Sequence, residues 1–192
     1  MVGLQENALI FNTRGNIELL SQNKVAVFAS RQTPEAMHPD LFEFFDALRR
    51  LPIGISSGWQ SPMEKLLYKR MDVRQPANVL HYYAMDLNTV KLSNLQENLL
   101  KEKKLLLISP ETKSLRANKR LIKKRDELLF SQNKKICFLH ISKGGRLEEY
   151  FNTLLQSGHA VFLLEHPLNE PFYSDGTVLL HPHNLDILRA VV

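Results

Sequence analysis

Residues 53–71 read IGISSGWQSPMEKLLYKRM, and this stretch decides the fold. IGISS (53–57) has the length and apolar character of a buried strand. Ser-Gly-Trp-Gln then makes a tight turn. Ser61 is placed to cap a helix over 61–71, with Pro62 in its first turn and Glu64 three residues after the cap, the pattern of a capping box. A strand that runs directly into a capped helix is half of a βα unit.

The same unit recurs outward from here. VAVFAS (25–30) precedes PDLFEFFDALRRL (39–51), whose apolar residues at 41, 44, 45, 48 and 51 have helical spacing. NVLHYYAM (78–85) precedes SNLQENLLKEK (93–103), which opens with a second box, Ser93 and Gln96. LLLIS (105–109) precedes a basic helix over 114–130. KICFLHIS (135–142) precedes RLEEYFNTLLQS (146–157), stopped by Gly158. AVFLLE (160–165) and GTVLLH (176–181) are further strands, and Asn184 caps a last helix, NLDILRAVV. Near the start, ALIF (8–11) suits an edge strand and GNIELL a helical turn. Short, continuously apolar strands alternating with helices imply a parallel sheet covered on both faces. The expected fold is α/β: a three-layer, doubly wound, mostly parallel sheet of six or seven strands, Rossmann-like. Residues 24–192 form a single domain, and 1–23 an N-terminal extension or edge element.

Composition is that of a soluble globular protein, 44% apolar and 23% charged over 192 residues. No run approaches the roughly 20 apolar residues of a membrane helix, and no secretory leader is visible. Cys137 is the only cysteine, so no internal disulfide forms. These features lead us to expect a cytoplasmic protein with no membrane partner. The formal charge of +5 is a modest bias toward anionic partners. It is concentrated in KSLRANKRLIKKR (113–125), where Arg116, Lys119, Arg120 and Lys123 would share one helix face as a basic flank.

In open α/β sheets the ligand lies beyond the carboxyl ends of the strands. Three loops there carry chemistry. Ser30 and Arg31 follow the first predicted strand, and an arginine in that place can grip phosphate in a bidentate way. Ser57 and Gly58 follow the second, where hydroxyls and free amides at a helix start favour an anion. Trp59 beside them either covers a base or packs on the sheet rim. Lys143, Gly144, Gly145 and Arg146 follow the fifth, where two glycines would expose backbone N–H groups between two cations. The sequence has no GxGxxG, no GxxxxGK[ST] and no GxSxG. His181 and His183 lack a third ligand at metal-site spacing. Glu148 and Glu149 suit the first turn of a helix by its dipole alone. No catalytic residue, metal or cofactor is therefore assigned.

These loops, in this order, resemble the Rossmann-like core of the DNA-processing protein A (Smf) family, within a wider group that includes LOG-type nucleotide phosphoribohydrolases and lysine-decarboxylase-like proteins. VAVFASRQTP is similar to the family's first strand and its Gly-(Ser/Thr)-Arg turn, with Arg31 on the arginine and Ala29 on the glycine. ISSGWQSPMEKLLY is similar to its Ser-Gly-x-Ala-x-Gly-Ile-Asp-x-x-Ala-His segment, with Ser57 and Gly58 on Ser-Gly, Pro62 on the second glycine, Glu64 on the aspartate and Tyr68 on the histidine. KKRDELLFSQNKKICFLHIS resembles its Arg-Asn-Arg helix and following strand, with Arg125, Asp126 and Glu127 on those three positions. SKGGRLEEYFNTLLQSGHAVFLLEHP resembles the last glycine turn, helix and strand. The phosphoribohydrolase pattern Pro-Gly-Gly-x-Gly-Thr-x-x-Glu is not kept, since Leu147 and Glu148 stand for Gly-Thr and Phe151 for the glutamate. The resemblance implies a binding protein for single-stranded DNA. A nucleotide-binding protein or LOG-type enzyme remains the alternative, and homodimer formation stays open. Enzymatic activity is left uncertain, with the balance against it.

Overall fold

The computed structural model describes residues 10–190. One sheet of eight strands runs through it: β1 (Phe11–Gly15), β2 (Lys24–Ala29), β3 (Gly54–Ser57), β4 (Asn78–Tyr82), β5 (Leu105–Pro110), β6 (Lys135–His140), β7 (Ala160–Leu164) and β8 (Thr177–Leu180). The strand order is β1-β5-β4-β3-β2-β6-β7-β8. Every neighbouring pair is parallel except β1 with β5. The mostly parallel, doubly wound sheet expected from the sequence is thus present. It has eight strands where six or seven were expected, because the first of them returns antiparallel along the β5 edge. Of the expected strand at 8–11, Ala8 and Leu9 lie outside the described residues; β1 starts at Phe11.

Alternation along the strands sends side chains to two cores. Val25, Val27 and Ala29 of β2 face one layer, with Leu41, Phe44 and Phe45 of α1 (His38–Leu48), Met63 and Leu67 of α2 (Pro62–Tyr68) and Leu99 of α3 (Asn94–Lys101). Ala26 and Phe28 face the other layer, with Leu128 and Leu129 of α4 (Lys119–Gln132) and Phe151 and Leu154 of α5 (Arg146–Leu155). Both predicted capping boxes form, at Ser61 with Glu64 and at Ser93 with Gln96.

The helices are shorter than the sequence predicted by a few residues each, and two depart most from expectation. The basic helix starts at Lys119, not at residue 114, because the Asn118 side chain takes the Leu121 N–H at 3.0 Å and sets the cap there. The last element is a 3₁₀ turn, Leu185–Arg189, and Val191 and Val192 lie outside the described residues. This turn is tied to the sheet by buried Lys135, whose Nζ donates to Asn23 Oδ1 and the Leu188 carbonyl, each at 2.8 Å, and to the Ala190 carbonyl. Among the described residues no helix is long and apolar enough to cross a membrane.

His81 on β4 is buried, stacked on Tyr83 at 4.0 Å between ring centroids, and near the Arg125 guanidinium. Burial, with a smaller contribution from Arg125, pulls its pKa down to about 3. A folded pKa below the ordinary value means the unfolded chain takes up the proton first on acidification. The contribution is therefore complete above the ordinary histidine pKa and is lost as the pH falls toward 3. At about 1.4 kcal/mol per pH unit, moving from pH 7 to pH 5 should cost about 2 kcal/mol. Urea unfolding at both pH values should show this loss in the wild-type protein and a smaller one, left by buried His140, in His81→Asn. An equal loss in the variant would exclude His81 as the cause.

Candidate functional site

The strand order reverses between β2 and β6, whose following helices, α1 and α5, pack on opposite faces of the sheet and leave a crevice at the carboxyl ends of the strands. The β2–β6 register slips between Phe28 and Ala29, where β6 carries an extra residue, yet pairing continues into the crevice floor, with the Ser30 N–H donating to the His140 carbonyl at 3.0 Å. A cleft of about 900 Å³ opens at this point. Phe28, Ala84, Met85, Ile122 and Leu147 give it apolar walls. Arg31 lines it from the loop after β2, Lys119 and Lys123 from α4, and Arg146 from the start of α5. Lys119 and Lys123 are one helical turn apart and so share a face.

The structure thus brings together Ser30, Arg31, Gly58, Gly145, Arg146, Lys119 and Lys123. Ser57 is buried beneath the Gly58 turn, where its Oγ accepts the Trp59 N–H at 3.1 Å. Lys143 and Gly144 are exposed on the outer side of their turn and do not line the cleft. Nor do Arg116 and Arg120; Arg116 precedes the helix, so the expected four-residue basic face does not exist.

The turns were expected to offer bare amides, and the chain fills them with its own carboxylates. Glu64, 5% exposed, takes the Ala29 N–H at 3.1 Å through Oε1, and the Gln60 and Ser61 N–H groups at 2.7 and 3.2 Å through Oε2. Burial pushes its carboxyl pKa up, opposed by those amides and by Arg125. Gly144, in the left-handed region at φ +72°, donates its N–H to Glu148 Oε2, and Gly145 donates to the Ser142 carbonyl at 3.1 Å. Ser142 in turn donates its N–H to Ser30 Oγ at 2.8 Å, which joins the two loops across the sheet reversal. The amides of Ala29, Gln60, Ser61, Gly144 and Gly145 are thus occupied by the chain itself.

Trp59 is buried, at φ +50°, with its ring 5.0 Å from Tyr68 and 6.1 Å from Phe45. It packs on the rim and is not available to cover a base.

A buried ion pair forms one side of the cleft. Arg125 donates from Nε and Nη2 to Asp126 Oδ1, at 2.9 and 2.5 Å. Tyr150 donates its hydroxyl to Asp126 Oδ2 at 3.0 Å, and Arg146 Nη2 lies 3.7 Å from the same oxygen. The Arg146 guanidinium also sits 5.6 Å over the Tyr150 ring, so the cleft cation has two anchors. Burial and the neighbouring Asp126 push the Tyr150 pKa up to about 12. Arg125 also explains Gly58, since a Cβ there would stand 2.8 Å from its Cζ. In sequence Arg125 is one of seven cations in a run, and nothing local marks it as the buried one. The signal that did single out Arg125 and Asp126 was the family resemblance.

No protein-family model matches the chain, and no curated protein matches it by sequence. Solved structures do. DNA processing protein A from Streptococcus pneumoniae superposes with a TM-score of 0.74 at 15% identity over 95% of this chain. The chain spans 66% of the length of that protein. DNA processing protein A from Helicobacter pylori superposes with a TM-score of 0.64 at 17% identity, covering 86% of this chain and 75% of the other. The fold of the chain is that of DNA processing protein A.

Proposed function

We propose that the cleft binds single-stranded DNA. The observation that carries this reading is the convergence of Arg31, Lys119, Lys123 and Arg146 on one apolar-walled cleft at the sheet reversal. Phosphates would meet the four cations and bases the apolar walls, with little readout of sequence. Support comes from the fold as well, because the Helicobacter pylori protein that shares it binds single-stranded DNA.

Each phosphate neutralised on a single strand contributes about −0.7 to the slope of log K against log salt, so four cations give a slope of about −3. Arg31→Ala and Arg146→Ala should each flatten it by about 0.7. Lys143→Ala, outside the cleft, should leave it unchanged. Fluorescence anisotropy with an oligothymidylate over a salt series measures this. A flat salt dependence, or a steeper loss at Lys143 than at Arg146, would remove the proposed interface.

The cleft volume of about 900 Å³ also falls within the ~300–1,000 Å³ of small-molecule sites, which favours a nucleotide or nucleotide derivative as the second reading. On that reading mononucleotides raise the melting temperature and oligonucleotides do not.

A further inference from the structure

We propose that Tyr83 is the platform on which one base of the bound strand stacks; this rests on the single-stranded DNA reading of the cleft. A cleft that holds a strand without reading its sequence needs a flat π-surface as well as cations, because every base has a face to offer. The aromatic side chains near the site differ in what they have free. Trp59 is covered by Tyr68 and Phe45. Phe28 is buried against Phe138 and Phe130. Tyr150 carries the Arg146 guanidinium over its ring and spends its hydroxyl on Asp126.

Tyr83 is half-buried and lines the cleft beside Ala84 and Met85. One side of its ring lies against His81, centroids 4.0 Å apart and planes inclined by 15°. Its hydroxyl accepts from Gln96 Nε2 at 2.8 Å. The ring is thus held from behind and at its tip before any ligand arrives, so stacking would cost little side-chain ordering. Its backbone is held too, since the Tyr83 N–H donates to the Ile108 carbonyl at 2.7 Å. His81, neutral at physiological pH, backs the ring without adding charge. The cations that line the cleft come from α4, α5 and the loop after β2. A strand seated there would place phosphates toward them and turn a base toward the β4 side.

The test compares an oligothymidylate with an abasic oligonucleotide of the same length and charge. Titrations by fluorescence anisotropy use the full chain as wild type, Tyr83→Leu and Tyr83→Phe. The wild type should bind the thymidylate about tenfold more tightly than the abasic strand, the scale of one base–aromatic stack. Tyr83→Leu should lose about tenfold on the thymidylate and nothing on the abasic strand, and so narrow the difference by that factor, while Tyr83→Phe keeps it. A Tyr83→Leu loss of equal size on both strands, a Tyr83→Phe loss matching that of Tyr83→Leu, or no loss at all would overturn the platform and leave the DNA reading standing. Failure of the wild type to bind either strand would overturn both together.

Discussion

Glu64→Ala is expected to lower the unfolding free energy by about 3–5 kcal/mol, a large share of the ~5–15 kcal/mol that holds a typical domain. Glu64 has three tasks that no neighbour duplicates. It closes the cap at Ser61, it satisfies the Gln60 amide, and it reaches across to Ala29 at the end of β2. Alanine would leave three amides without their acceptor, each a loss of about 1–3 kcal/mol when buried, lessened where water enters from the cleft. Glu64→Gln keeps the shape but turns one oxygen into a donor facing an N–H, so a smaller loss of about 1–3 kcal/mol is expected. Urea unfolding at pH 7 of the three proteins gives the order wild type, glutamine, alanine. An alanine variant within about 1 kcal/mol of the wild type would mean that the amides find other partners, and the account of the turn would fail.

The second large effect is expected at Arg125. Asp126 is 1% exposed, and the two hydrogen bonds from Arg125 to its Oδ1 are the main compensation for its buried charge. Arg125→Ala leaves that carboxylate with the Tyr150 hydroxyl and a more distant Arg146, at a cost of about 3–5 kcal/mol. Removing both charges should be milder than removing one. Arg125→Leu with Asp126→Leu should recover most of the lost stability, because a well-packed apolar pair can replace a buried ion pair at little cost. Denaturant midpoints of the single and double variants decide the point. A double variant no more stable than Arg125→Ala would show that packing around Gly58, not charge compensation, is what Arg125 supplies.

The sheet was legible because its signals are local. Apolar runs such as IGISS and KICFLHIS, each followed by a capped or glycine-opened helix, specify strand, turn and helix within a few residues. Loops at the carboxyl ends of the strands could be named for the same reason, and five of the eight loop residues singled out there line the cleft. What the sequence hid depends on distant partners. The Ser61–Glu64 box was visible, but its reach to Ala29 was not, since that contact spans 35 positions. The amides at Gly144 and Gly145 looked open because nothing in the pattern says that Glu148 turns back on its own helix start. The basic run over 113–125 looked like one surface, yet it contains an irregular loop, an outward helix face, two cleft lysines and a buried arginine. Helical spacing gives faces only once the first residue of the helix is known, and Asn118 set that point five residues into the run.

The reversal between β2 and β6 has one more effect. Arg31 belongs to the first third of the polypeptide and Arg146 to the last, and they line one cleft because the β2–β6 ladder, extended by the bond between Ser142 and Ser30 across 112 positions, joins these segments. Neither half of the molecule owns a grip. A guest that clasps both sides becomes a non-covalent crosslink between segments more than a hundred positions apart, so its binding would stiffen the join between the two halves.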